Sequence, residues 1–227
     1  MSGTLGTVVS VRVGKVTPYE RPAWDHVKNR PYATAFRKQE VAGGVHVGPL
    51  GLAGDEQADK KFHGGPHMAV LMYAERHYAG WRELEGLAGM GPGGFGENLT
   101  VSDVDETMLC VGDVLQVGAT RMQIASPRGP CADISRRWDR EWLLKKVVER
   151  RHTGWYLRVL QAGLVKAGDD VRLLERPHPD WSVDRMLRLR YVTPRDRAGL
   201  RDASAVASFA PEWRRKFAEL AAGSAQG

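Results

Sequence analysis

The apolar positions of this chain fall into short runs separated by glycine, proline and aspartate. Before residue 176 most of these runs carry the two-residue period of a strand. Thr4–Val16 holds Val8-Val9-Ser10-Val11-Arg12-Val13, β-branched and partly alternating; Met68–Tyr73, Val114–Val117, Met122–Ala125, Trp155–Leu160 and Val171–Leu174 are similar. Gly-Asp pairs stand before the runs at Val114 and Val171, joining a residue that accepts φ > 0 to one whose side chain bonds the turn backbone. The pattern predicts a mainly β domain, a barrel or a sandwich. Two helices interrupt it and lie on its surface: Ala74–Glu85, with Tyr78, Trp81 and Leu84 at helical spacing, and Glu141–Arg151, with Leu143, Leu144, Val147 and Val148 on one face.

The period changes at Arg176-Pro177-His178-Pro179-Asp180, where two prolines interrupt any continuing element. A boundary here divides the chain into a β domain, 1–176, and a helical domain, 177–227. Ser182 caps a helix bearing Val183, Met186 and Leu187; Thr193-Pro194 reads as a cap followed by proline at the first helical position; Pro211-Glu212-Trp213 opens a third helix with Trp213, Phe217 and Leu220 on one stripe. A bundle this small buries little surface alone, so it is expected to dock on the β domain or on a second subunit, giving a homodimer.

Composition narrows the class. Of the 227 residues, 42% are hydrophobic and 26% charged, which is globular and excludes a disordered or collagen-like chain. No apolar run approaches the roughly 20 residues of a membrane helix, and the start lacks a basic-then-apolar secretory pattern, so a cytoplasmic location is expected. Both cysteines, Cys110 and Cys131, are expected to be reduced, Cys110 as a small hydrophobe between Leu109 and Val111. Residues 121–158 hold ten basic groups against four acidic ones, a difference equal to the whole net charge of +6. Such a concentration attracts an anionic partner. The seven tryptophans are scattered along the chain at core-like positions, which argues against a nucleic-acid polymer.

Three motifs could carry chemistry. Pro127-Arg128-Gly129-Pro130-Cys131 places a thiol beside a guanidinium and before a helix start at Asp133–Arg137, surroundings that lower a thiol pKa from about 8.5 and favour the thiolate that attacks, carries sulfur or binds metal. His63-Gly64-Gly65-Pro66-His67 has the spacing of a zinc pair, but its glycines and proline exclude a regular helix. Either Gly64 and Gly65 let a ligand approach the backbone beside His63, or the segment is a tight turn before a strand. Gly93-Gly94-Phe95-Gly96-Glu97-Asn98 is neither a Walker loop nor a dinucleotide fingerprint; Asn98 offers donor and acceptor to a heterocycle edge, and Glu97 holds the turn. Gly-x-Ser-x-Gly and His-Glu-x-x-His are both absent from the sequence.

Taken in order, Gly51-Leu52-Ala53-Gly54-Asp55-Glu56-Gln57-Ala58-Asp59-Lys60-Lys61-Phe62-His63-Gly64-Gly65-Pro66, Phe95-Gly96-Glu97-Asn98-Leu99 and Pro127-Arg128-Gly129-Pro130-Cys131 resemble the MOSC domain family, and within it the YiiM-like branch. Thr34-Ala35-Phe36-Arg37-Lys38 is similar to that branch's upstream lysine segment, Gly154–Val159 to its late strand, and residues from about 178 to its three-helix extension. The resemblance implies a MOSC-type β-barrel related to the pyruvate kinase barrel domain. It implies a positively charged pocket for the molybdenum cofactor (molybdopterin), lined by Lys38, His63, Gly64, Gly65, Asn98, Arg128 and Arg158, with Cys131 as catalytic thiol and molybdenum ligand. It also implies reduction of N-hydroxylated bases and related small molecules with a flavoprotein electron donor; the alternative is a non-catalytic carrier of persulfide sulfur or of the cofactor.

Overall fold

The computed structural model describes residues 3–27, 32–60 and 63–223; Lys61 and Phe62, inside the histidine motif, lie outside the described residues. The chain opens with β1 (Thr4–Val13), then the short β2 (Thr17–Pro18), β3 (Ala33–Thr34), β4 (Gln39–Glu40), β5 (Val45–Gly48) and β6 (Gly51–Leu52). A 3-10 turn at Pro66–Met68 leads into β7 (Val70–Ala74), α1 (His77–Arg82), β8 (Leu99–Val101) and the hairpin of β9 (Val114–Val117) and β10 (Thr120–Pro127). There follow α2 (Asp133–Trp138), α3 (Leu143–Arg150), β11 (Trp155–Gln161), β12 (Gly163–Val165) and β13 (Asp170–Glu175), and finally α4 (Val183–Tyr191), α5 (Arg197–Ala205) and α6 (Pro211–Ala222).

Strands β13, β9, β10, β11, β7, β8 and β1 pair in that order, and β1 returns to β13, closing a seven-stranded barrel. Neighbours are antiparallel except β7 and β8, which run parallel with Met72 opposite Leu99. The alternation read from the sequence decides the faces: Met122 and Ile124 of β10 and Trp155 and Leu157 of β11 fill the interior, while Tyr156 and Arg158 point out of the wall. Outside it, Tyr73, Tyr78, Trp81 and Phe95 pack with Ile134, Leu143 and Val147 in a second apolar cluster that fixes α1, α2 and α3 to the barrel.

Several boundaries differ from the sequence reading, among them β1, which ends at Val13 and not Val16, and α3, which spans Leu143–Arg150 and not Glu141–Arg151. β7 continues through Ala74 because every side chain from Val70 to Ala74 is buried, so α1 starts only at His77. The cap of the middle C-terminal helix is not Thr193: α5 starts at Arg197, where the Asp196 carboxylate accepts the Gly199 N–H at 2.8 Å. Ser182 does cap α4, accepting from the Arg185 N–H at 3.1 Å.

The helices dock on the barrel of their own chain. Val183, Met186, Leu187, Trp213, Phe217 and Leu220 belong to the same apolar core as the strands. Backbone bonds seal the joint: Val111 N–H to Trp181 O at 2.9 Å, Val183 N–H to Leu109 O at 2.9 Å and Ala210 N–H to Ala125 O at 2.9 Å. No helix among the described residues is long and apolar enough to cross a membrane.

Candidate cofactor site

Outside the barrel wall lies a cavity of about 340 Å³. Its lining comes from the 32–38 segment, residues 55–59, His63 and Gly64, the entry to β7, the end of the β7–β8 crossover, the segment from Arg128 to Arg136 and Tyr156 of β11. The structure brings Lys38, His63, Gly64, Asn98, Arg128 and Cys131 together there.

Arg128 follows the last residue of β10, and its N–H donates to the Gly154 carbonyl at 3.0 Å, which fixes the turn that carries Cys131. Only 3% of Arg128 is exposed. Its Nη2 faces the Cys131 sulfur at 3.7 Å, its plane lies over Phe36 at 5.5 Å, and its Nη1 is buried without a hydrogen-bond partner. Burial opposes the charge, but the facing Cys131, Tyr156 and Glu97 groups outweigh it and hold the pKa above the ordinary arginine value. A buried cation with one donor left over is the electrostatic signature of an anion site. Cys110, by contrast, sits in the core with its N–H on Asp113 Oδ2 at 2.9 Å, and burial first, then Asp113, pushes its thiol pKa up.

Lys38 and Asp55 form an ion pair at the cavity wall, with side chains 8% and 4% exposed. Burial lowers the Lys38 pKa against the opposing pull of Asp55. Asp55 also accepts the Gly14 N–H at 2.7 Å and Asn98 Nδ2 at 2.9 Å. Asn98 donates further to the Arg12 carbonyl at 3.2 Å, and its Oδ1 accepts the Leu71 N–H at 3.1 Å. Its amide therefore braces the frame, and the heterocycle-edge role read from the sequence does not match this bonding. Glu97, fully buried, holds the glycine turn as read: it accepts from Gly93 N–H at 2.7 Å, Phe95 N–H at 3.1 Å, Thr100 Oγ1 at 2.8 Å and the Tyr78 hydroxyl.

His63 lines the cavity, and burial, then the Arg128 charge, lowers its pKa and favours the neutral imidazole. Gly64 takes φ +89°, and a Cβ there would meet the Gln57 side chain at 3.1 Å; the missing side chain leaves backbone facing the cavity. Gly65 and Arg158 are not among the lining residues. Gly65 caps the 3-10 turn at φ +80°. Arg158 shares a strand face with Tyr156 but lies two residues further on, and its Nη2 donates to the Ser208 carbonyl at 2.7 Å, so it serves the helical joint. Among the described residues no group of three or more His, Cys, Asp and Glu is arranged to hold a metal ion.

Sequence reasoning missed several wall residues. Asp55 stood in a quoted motif without a role, and Tyr156 was read only as strand. At the rim, Thr34 Oγ1 donates to Asp133 at 2.8 Å, Arg136 pairs with Asp133 at 2.9 Å and with Asp25 at 2.7 Å, and the Arg21 and Arg136 guanidiniums lie 5.1 and 5.2 Å from the Tyr32 ring centroid. The hydrogen bond from Arg136, against burial, holds Asp25 down to about 2. These partners lie more than 90 residues apart in the chain for the Thr34–Asp133 and Arg136–Asp25 pairs, a distance no local spacing rule spans.

Residues 59–172 match the MOSC domain, and residues 181–220 match the YiiM-like 3-alpha helix domain. The chain belongs to the MOSC domain family. As a MOSC protein it has a family association with molybdenum-cofactor binding. It is 30% identical over 211 residues to the uncharacterised protein YflK of Bacillus subtilis, taking in 93% of this chain and 92% of YflK. It is 34% identical over 171 residues to a protein named Reductase from Gibberella moniliformis, a match that takes in 70% of this chain and 29% of that protein. The crystal structure of YiiM from Geobacillus stearothermophilus superposes with a TM-score of 0.76 at 26% identity, covering 94% of this chain and 98% of that one.

Proposed function

We propose that this MOSC protein binds the molybdenum cofactor and reduces N-hydroxylated bases and related compounds with electrons from a flavoprotein donor. The observation that carries the reading is the buried Arg128, with an unpartnered Nη1 and with Nη2 against the Cys131 sulfur, in the wall of a cavity sized for a small molecule. The residues fit the group: Cys131 supplies a soft sulfur donor, Arg128 a buried positive charge for an anionic pterin or oxo group, and Gly64 open backbone. Lys38 stays fixed by Asp55, and the neutral His63 is free to donate or accept one hydrogen bond.

When bound, the cofactor supplies the two-electron chemistry of cleaving an N–O bond, in which a hydroxylamine takes up two electrons and two protons and leaves as amine and water. The chain orients the ligands, neutralises charge and limits water. The name Reductase on one relative accords with the reaction class, and the flavoprotein donor is part of the proposal.

The test is to load the purified protein with cofactor, add a flavoprotein reductase and assay an N-hydroxylated purine. Formation of the amine is the expected result. Bound molybdenum without turnover would instead indicate a carrier of sulfur or cofactor.

A further inference from the structure

Glu106, in the connection from β8 to β9, is buried outside the cavity lining, and both oxygens of its carboxylate are engaged. Oε1 accepts the Gly154 N–H at 2.8 Å, and Oε2 bonds His77 Nε2 at 2.6 Å. The His77 ring stacks on His152, two residues before Gly154, at 3.6 Å and 7°. The carboxylate thus holds the segment 152–154 at two points, directly at the Gly154 amide and through one imidazole against the other. A buried carboxylate is costly to keep, and removing it leaves a buried N–H without an acceptor.

Gly154 passes this constraint to the site. Its carbonyl accepts the Arg128 N–H at 3.0 Å and Thr153 Oγ1 at 3.0 Å. Its φ is +76°, and the Met72 carbonyl, 2.5 Å from where a Cβ would stand, closes the space toward β7. Arg128 makes no ion pair among the described residues; its Nη2 faces the Cys131 sulfur at 3.7 Å and its Nη1 has no partner. A guanidinium that no carboxylate holds is placed by its backbone, and Gly154 places that backbone. The helical domain grips the same region: in the first turn of α4, the Asp184 N–H donates to the Glu106 carbonyl at 2.7 Å, and the Asp184 carboxylate accepts Nε of Arg151, the residue before His152, at 2.6 Å.

We infer that Glu106 is a positioning residue of the cofactor site: it holds Gly154, and through Gly154 it fixes Arg128 against the Cys131 sulfur. The inference rests on the reading above of Arg128 and Cys131 as the buried cation and the soft donor of that site.

The test reads the field that Arg128 sets at the sulfur, without cofactor or turnover. In the full chain carrying Cys110→Ser, Cys131 is alkylated with iodoacetate, an anion, and with iodoacetamide, which is neutral, and the ratio of the two rates is compared among variants. Both reagents need the same thiolate, so its fraction cancels and the ratio reports positive charge beside the sulfur. Arg128→Gln calibrates the scale and should lower the ratio at least about threefold. Glu106→Ala, with no acceptor, and Glu106→Asp, one methylene short of Gly154, should lower it likewise. Glu106→Gln keeps an acceptor for the Gly154 N–H and should stay at or above the unsubstituted ratio. Val117→Ala, a truncation in the barrel core, controls for general loosening and should leave the ratio unchanged. The sign excludes a direct effect of charge, because deleting a carboxylate draws the anionic reagent in and on its own raises the ratio. An undiminished ratio in Glu106→Ala and Glu106→Asp, or an equal fall in Glu106→Gln or Val117→Ala, overturns the inference; if Glu106→Ala does not fold, Glu106→Asp decides. An unchanged ratio in Arg128→Gln overturns it together with the cofactor reading. A reductase assay that fails while the ratios keep the expected order counts against the proposed activity alone.

Discussion

Cys131 and Arg128 divide the cavity chemistry between a soft donor and a buried cation, and the two roles separate on substitution. Cys131→Ser keeps the volume and removes the sulfur, so molybdenum retention or turnover should be lost, while Cys110→Ser should alter stability only. Equal activity of wild type and Cys131→Ser at equal molybdenum content would remove the thiol from the mechanism. Arg128→Gln withdraws charge-assisted hydrogen bonds and should weaken cofactor affinity by about 1.5–3 kcal/mol, measured by titration of the folded variant. The same substitution at Arg158 should leave affinity unchanged, since that group bonds Ser208. A further residue governs acid stability. His152 stacks on His77 at 3.6 Å and 7°, and burial, then the His77 charge, depresses its pKa from 6.5 to about 4. The unfolded chain therefore binds the extra proton between those values, and stability falls as pH drops from 6.5 towards 4. His152→Phe keeps a stacking ring without a titration, so its thermal midpoint should decline less over that window.

At the scale of elements, the Lys38–Asp55 pair ties the 32–38 segment to the loop after β6, and Asn98 ties both to the β7–β8 crossover. Asp55→Ala leaves Lys38 buried without its counter-charge and should cost about 3–5 kcal/mol in denaturant unfolding; adding Lys38→Met should recover part of that loss. A double variant as unstable as the single one would show that the Gly14 and Asn98 bonds, not the charge, carry the effect. Periodicity made the longer strands legible, because β9, β10, β11 and β13 each show runs of apolar residues between turn signals. It could not reveal β2, β3, β4 or β6, whose two-residue pairings are too short to show a period. Glycine-proline punctuation located the turns carrying His63 and Cys131. The direction of Arg158 stayed hidden, because one strand face is shared by Tyr156 at the cavity and Arg158 at the helical joint.

For the whole molecule, the barrel and the three helices share one apolar core. Truncation after Arg176 would remove the helices packed on this core and leave the Leu109 carbonyl, the Val111 N–H and the Ala125 carbonyl without their partners. The shortened chain should aggregate or bind an exposed-surface dye, and cofactor binding should be lost with the fold although the cavity residues all lie upstream. A soluble, cooperatively melting barrel would show instead that the helices are dispensable. The parallel seam between β7 and β8 has a separate consequence that is a matter of counting. Going round a closed ring, each antiparallel neighbour reverses the strand direction, and an odd ring cannot close on reversals alone. Seven strands therefore oblige at least one pair to agree in direction, and strands that agree cannot be joined by a hairpin. The chain must travel from one end of the ring to the other, and here it does so through residues 75–98, bringing Gly96 and Asn98 to the cavity wall. The contents of that crossing are open to change, but replacing it by a two-residue turn should fail to give the barrel at all, whatever sequence the turn is given.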